Sequence, residues 1–175
     1  MIIYEAHVLN NSLSLPLDME NAKDSTASTD SDLDQRRATG VVTIVQAVGP
    51  RFLDAHEIPQ RDFNVVTRSF QNNNTQRWLL TQEQGNLHRI QQVSSGRFLD
   101  AHEIPSLDYR VVTRPRQENN TQLWRLFDFG GAFFTIQQVS SGRFLEAYIS
   151  ATQDFQAITR PEQPGDNLQL WRIVS

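Results

Sequence analysis

"RFLDAHEIP" occupies residues 51–59 and recurs letter for letter at 97–105; a third version, "RFLEAYIS", stands at 143–150. The intervals organise the chain. Arg51, Arg97 and Arg143 are 46 residues apart, and "IQQVSSGRFL" at 90–99 returns unchanged at 136–145. "VVTR" at 65–68 and 111–114 becomes "AITR" at 157–160, and Trp78, Trp124 and Trp171 follow at spacings of 46 and 47. A fixed period of this length marks a repeat architecture. The blocks are 41–86, 87–131 and 132–175, and the one extra residue falls in "PEQPGDNLQLW" of the third.

Each block has the grammar of strands. In the second, "LHRIQQV", "RFLDAHE", "RVVTR" and "TQLWRLF" are short runs rich in Val, Ile, Phe, Thr and Trp, separated by Ser, Gly, Pro and Asn. Such runs are strands, and no stretch sustains a 3.6-residue apolar period. Four strands in each of three blocks make an all-β chain of twelve. A three-bladed propeller is hard to close, whereas three four-stranded units about a pseudo-threefold axis close as a β-trefoil, a six-stranded barrel capped by three hairpins. Period-2 alternation sets Leu53, Ala55, Val65 and Thr67 on one face and Asp54, His56, Val66 and Arg68 on the other. With Leu53 and Val65 in the core, Asp54, His56 and Arg68 are expected to face outward together. The same holds for Asp100, His102 and Arg114, and for Glu146, Tyr148 and Arg160.

The chain has 175 residues and a net charge of −4. All of that excess is N-terminal: residues 1–40 hold seven acids and three bases, while 41–175 hold 13 of each sign, every base an Arg. A neutral body offers no basic face to a phosphate backbone, so nucleic acid is not expected as a partner. No run approaches the roughly 20 apolar residues of a membrane span. There is no cysteine, and with no His-x3-His spacing either, neither a metal nor another cofactor is expected. "MIIYEAHVLNNSLSLPLDME" lacks a basic stretch followed by an apolar one, so no signal peptide is evident and a cytoplasmic place or non-classical release is expected. Residues 1–40 are polar, acidic and Ser/Thr-rich, the composition of an extension or linker. Within them "IIYEAHVL" is a candidate strand for a protein partner or for self-association.

Three copies of Gln-x-Trp, "QRW" at 76–78 and "QLW" at 122–124 and 169–171, each follow an Arg-Phe-Leu-acid strand. In register with the threefold repeat, they resemble the ricin B-type (R-type) lectin family over residues 41–175. That resemblance implies a carbohydrate-binding protein, not an enzyme, with up to three shallow sugar sites and glycans or glycoconjugates as partners. It places the sugar-binding acid at Asp54 and Asp100, with Glu146 in the third copy, and the polar group before the Trp at Gln76, Gln122 and Gln169. The family's third-strand aromatic is not matched: Arg68, Arg114 and Arg160 stand there. The rings on the same face, His56, His102 and Tyr148, are the candidates for stacking or donation in its place. The amides Asn74 and Asn120 are candidates to extend the site.

A carboxylate accepts two hydroxyl protons through charge-assisted bonds, which suits a sugar's polar edge. The same letters also fit a simple cross-strand salt bridge, Asp54–Arg68, Asp100–Arg114 and Glu146–Arg160, needing no ligand. The three tryptophans are expected in the core, and Asp62, Asp108 and Asp154 as turn residues. Two other functions stay open for this fold: a protein-interaction trefoil (a protease inhibitor or a toxin's targeting subunit), or a trefoil with no surviving ligand site.

Overall fold

The computed structural model describes residues 39–175; the strand expected in "IIYEAHVL" and most of the acidic extension lie outside them. Twelve strands run in chain order: β1 Thr39–Gln46, β2 Phe52–Ala55, β3 Val65–Arg68, β4 Trp78–Gln84, β5 Leu87–Gln92, β6 Phe98–Ala101, β7 Val111–Arg114, β8 Trp124–Gly130, β9 Phe133–Gln138, β10 Phe144–Ala147, β11 Ala157–Arg160 and β12 Trp171–Val174. Antiparallel pairing carries β1 to β4, β5, β8, β9 and β12, and β12 pairs back onto β1, so six strands form a closed barrel. Closure leaves the barrel no free edge. The hairpins β2–β3, β6–β7 and β10–β11 cap it. This is the β-trefoil, with three lobes of four strands.

The repeat is visible in the core. Ile44, Ile90 and Ile136, Leu53, Leu99 and Leu145, and the three tryptophans are all fully buried. Each indole is worth roughly 4–6 kcal/mol by the area it removes from water. Each also satisfies its N–H: Trp78, Trp124 and Trp171 Nε1 donate to the carbonyls of Leu53, Leu99 and Leu145 at 3.0, 3.0 and 2.9 Å. The Gln-x-Trp motif is thereby locked to the Arg-Phe-Leu strand about 25 residues upstream.

In one respect the local structure differs from the sequence pattern. Thr121 and Gln122 do not extend the fourth strand of their lobe; Asn120–Gln122 is a 3-10 turn, as are Asn74–Gln76 and Asn167–Gln169. Asp62, Asp108 and Asp154 are turn residues with left-handed backbone (φ 51, 50 and 51°), each followed by an aromatic residue in the same region, Phe63, Tyr109 or Phe155 (all φ 51°).

The hairpins lean on one another in a cycle. Thr67 N–H donates to Phe155 O, Thr113 to Phe63 O and Thr159 to Tyr109 O, at 2.9, 3.0 and 3.0 Å. The Arg51, Arg97 and Arg143 guanidinium groups lie 3.4, 3.6 and 3.6 Å above the rings of Phe155, Phe63 and Tyr109. Each lobe therefore clamps the left-handed aromatic of its predecessor, and these contacts offset the strain of placing a bulky side chain there.

Candidate functional site

The face predicted to be outward is not open to solvent at its acid. Asp54, Asp100 and Glu146 are 3, 2 and 6% exposed. Alternation does set each acid opposite Val66, Val112 or Ile158 in the hairpin register. What it could not supply is the cover. The loop carrying the Gln-x-Trp motif folds back over β2, β6 and β10. Gln122 Nε2 donates to Asp100 Oδ2 and Gln169 Nε2 to Glu146 Oε2, both at 3.2 Å. The other carboxylate oxygen in the first two lobes accepts the next backbone N–H, Ala55 or Ala101, at 2.7 Å.

The motif glutamines are equally enclosed. Gln76 accepts from Gln71 N–H and donates to Ser69 O, both at 2.9 Å. Gln122 and Gln169 brace their loops in the same way, to Gln117 and Pro115 and to Gln163 and Pro161. Their amides are consumed internally. Asn74 and Asn120 sit exposed on the 3-10 turns.

The arginines form the rim. Arg68 and Arg114 side chains are 35 and 34% exposed, and their Nε atoms lie 3.8 and 4.0 Å from Asp54 and Asp100 Oδ2. Those separations are beyond a hydrogen bond, so the expected salt bridges are loose. Arg68 Nη2 lies 3.2 Å from both His56 ring nitrogens, and Arg114 Nη2 lies 3.1 and 3.3 Å from those of His102. The first two lobes thus gather carboxylate, guanidinium, ring and glutamine, Asp54, Arg68, His56 and Gln76 in one and Asp100, Arg114, His102 and Gln122 in the other, whereas in the third Gln169 meets Glu146 and Arg160 meets Tyr148.

The third lobe is built differently. Arg160 turns away from Glu146 and donates to Asp108 Oδ1 at 2.8 Å and to the Tyr148 hydroxyl at 2.6 Å. Tyr148 in turn donates to Asp108 Oδ2 at 2.6 Å. Burial pushes the Glu146 carboxyl above its ordinary pKa, against the Gln169 hydrogen bond that lowers it. Partial burial pushes Asp108 up as well, but the bonds from Tyr148 and Arg160 outweigh it and hold Asp108 below the usual carboxylate range. Burial, then the Arg68 charge, holds the His56 imidazole below its ordinary pKa.

Sequence reasoning missed where these rings find their partners. His102 Nε2 is 2.7 Å from Asp62, His56 Nε2 is 3.5 Å from Asp154, and Tyr148 bonds Asp108. In every case the ring of one lobe meets the turn Asp of the preceding lobe. The signal was present as a third coincident period, since Asp62, Asp108 and Asp154 repeat in step with His56, His102 and Tyr148.

Residues 74–160 match the family model described as ricin-type beta-trefoil lectin domain-like. Over that stretch, just under half of the chain, the trefoil resembles ricin-type β-trefoil lectin domains. Solved structures share its fold. The designed threefold-symmetric protein ThreeFoil superposes at a TM-score of 0.68 with 22% identity, over 77% of this chain and 98% of its own. The Polyporus squamosus lectin, bound to the human-type influenza-binding epitope Neu5Aca2-6Galb1-4GlcNAc, gives 0.67 with 15% identity, over 77% and 48%. SeviL, bound to asialo-GM1 saccharide, gives 0.59 with 13% identity, over 78% and 97%. No curated protein matches the chain. Among the described residues of this lectin-like domain, no three His, Cys, Asp or Glu side chains converge as metal ligands, and no helix is long and apolar enough to cross a membrane.

Proposed function

We propose that the lectin-like trefoil binds glycans through equivalent sites on its first two lobes, with an altered site on the third. The observation that carries this reading is the geometry of Asp54–Arg68 and Asp100–Arg114. Each guanidinium is held near its carboxylate but 3.8 or 4.0 Å from it, so both partners keep hydrogen-bonding capacity. A glycan hydroxyl would donate to the carboxylate and accept from the guanidinium, and because the acids are only 3 and 2% exposed the part-exposed guanidinium has to swing aside to admit it. The exposed arginine rim and the turn amides Asn74 and Asn120 supply further donors, and an acidic glycan suits the arginines as well. In the third lobe Arg160 is committed to Asp108 and Tyr148, so Glu146 stands without it. Shallow sites repeated on one body act together on clustered glycans through effective concentration. A catalytic role finds no support in Asp54, Asp100 and Glu146, since each hairpin face carries one and hydrolysis of a glycoside needs a facing pair.

A glycan array tests the proposal. It includes the Polyporus lectin epitope and asialo-GM1 saccharide among its probes, and compares wild type with Arg68→Ala/Arg114→Ala and Arg160→Ala. Binding by wild type, lost in the double variant and kept in Arg160→Ala, supports it. An array with no binding, or a folded double variant that binds equally, refutes it. Residues 1–40 are proposed as a separate extension with a partner-binding or self-associating role. Unchanged pull-down partners and unchanged mass in solution on deleting them would remove that part.

A further inference from the structure

Lobe 2 carries an arginine, Arg89, where the equivalent positions of lobes 1 and 3 carry Thr43 and Thr135. Arg89 is 6% exposed and fills a groove between β5 and the loop that leads to β8. Its guanidinium donates to Glu83 Oε1 at 3.0 Å, to the Gln117 carbonyl at 3.1 Å and to Glu118 Oε2 at 3.4 Å. The chain thus stores a guanidinium in one of three related grooves.

In lobe 3 the same groove is an open pocket lined by Phe129, Thr135, Glu162, Gln163 and Asp166. Phe129 stands where the Arg89 groove has Glu83, and Gln163 where it has Gln117. Threonine is too short to fill the space that Arg89 takes. The lobe 3 loop is one residue longer, and Gly165 and Asp166 are part of the wall. Asp166 uses Oδ1 to accept the Leu168 N–H at 2.8 Å, and among the described residues neither Glu162 nor Asp166 is in an ion pair. Phe129 is 72% exposed and offers an aromatic wall. The Gln163 carbonyl already accepts the Asp166 N–H at 3.0 Å, which leaves two carboxylates and a ring face; a planar guanidinium takes these by N–H donation along its edge and stacking on its face. The open groove of lobe 1 is lined instead by Phe70, Asn72 and Asn73, with no acidic side chain among the described residues.

We propose that the lobe 3 groove is a receptor for the side chain of an exposed arginine on a partner protein, with Arg89 as the intramolecular version of that contact in lobe 2. The groove borders the third-lobe glycan constellation through Gln169 and Phe144, so the test includes a competing glycan to tell the two apart.

The test is a titration of the 15N-labelled protein with N-acetyl-arginine amide at low salt, with N-acetyl-citrulline amide as the neutral control of the same shape. Saturable shifts confined to Phe129, Thr135 and residues 162–167, absent with citrulline, are expected. Glu162→Gln/Asp166→Asn should weaken binding at least about tenfold. Asn at 166 keeps the turn cap, so this variant stays folded. Thr135→Arg should plug the groove from within and abolish the response. Arg89→Thr should open lobe 2 and add a second set of shifts at Gln117 and Glu118. No saturable shift, an equal response to citrulline, or undiminished binding by Glu162→Gln/Asp166→Asn overturns the proposal. So does an array glycan that competes for the same shifts.

Discussion

The turn between β1 and β2 is the one place where lobe 1 breaks the repeat at a measurable cost. In lobes 2 and 3, Ser95 and Ser141 Oγ donate to the buried Gln92 and Gln138 Oε1 at 2.6 Å. The following Gly96 and Gly142, both at φ 69°, donate their N–H to Gln92 and Gln138 O at 2.9 and 3.0 Å. Lobe 1 has Gly49 and Pro50 at these places. Proline cannot take positive φ and has no N–H, so the left-handed residue becomes Gly49 at φ 70°. Gln46 Oε1, in a side chain 2% exposed, is left without a partner among the described residues.

Replacing Gly49→Ser together with Pro50→Gly should restore both hydrogen bonds. An orphaned buried acceptor costs about 1–3 kcal/mol, and each recovered bond contributes about 1 kcal/mol. Loss of the proline's restraint on the unfolded chain subtracts roughly 0.4–1 kcal/mol. The net is a gain of about 1.5 kcal/mol, or roughly 5 °C in Tm for a domain of this size. Gly49→Ser alone should destabilise, because serine would have to occupy φ 70° beside the retained proline. Thermal and urea unfolding followed by circular dichroism measure both. A double variant no more stable than wild type, or a single variant as stable as the double, would refute the reasoning.

Other substitutions test the buried polar layer. Gln122→Ala removes an amide that serves Gln117, Pro115 and Asp100; about 3 kcal/mol should be lost in urea unfolding, with sugar-independent local exchange in the 115–122 loop. Tyr148→Phe deletes the hydroxyl between Asp108 and Arg160, at a cost of about 1–2 kcal/mol. Because the folded Asp108 pKa is depressed, its contribution is present above the unfolded value and lost as pH falls, so Tyr148→Phe should also move acid unfolding to higher pH. The Glu146 pKa is raised, so the sign reverses: its contribution is full below the unfolded value and is lost as pH rises through the folded one. Glu146→Gln should therefore be more stable than wild type at pH 7 and should flatten that slope in a pH series of melts.

The trefoil was legible because its determinants are local and written three times. Leu53, Val65 and Trp78 recur in register, and their alternation alone assigns them to the core. The burial of Asp54 was not legible, because alternation assigns a side chain to a face without saying what crosses over that face. Here the crossing element is the 3-10 turn that the pattern read as the start of a strand. The partners of His102 and Tyr148 were hidden for a related reason. They lie 40 residues back, across a lobe boundary, where period-2 reasoning within a hairpin has no reach. Arg160 illustrates the consequence: its sequence neighbourhood matches that of Arg68 and Arg114, yet the Tyr148 hydroxyl gives Asp108 the stronger claim on it.

The pairing of β12 with β1 has a consequence for connectivity. Thr43 lies opposite Val174, and Gln46 opposite Trp171, so the strands that begin and end the described chain are neighbours. Every lobe leans on its predecessor, including the first on the third through Arg51 and Phe155. The ring accordingly has no privileged starting point. Joining residue 175 to residue 39 by a short flexible linker and opening the chain at the Gly85 turn would cut one β4–β5 connection and retain every contact between lobes. Such a circular permutant should fold to the same trefoil, with the order of lobes in the chain changed and their order in space preserved.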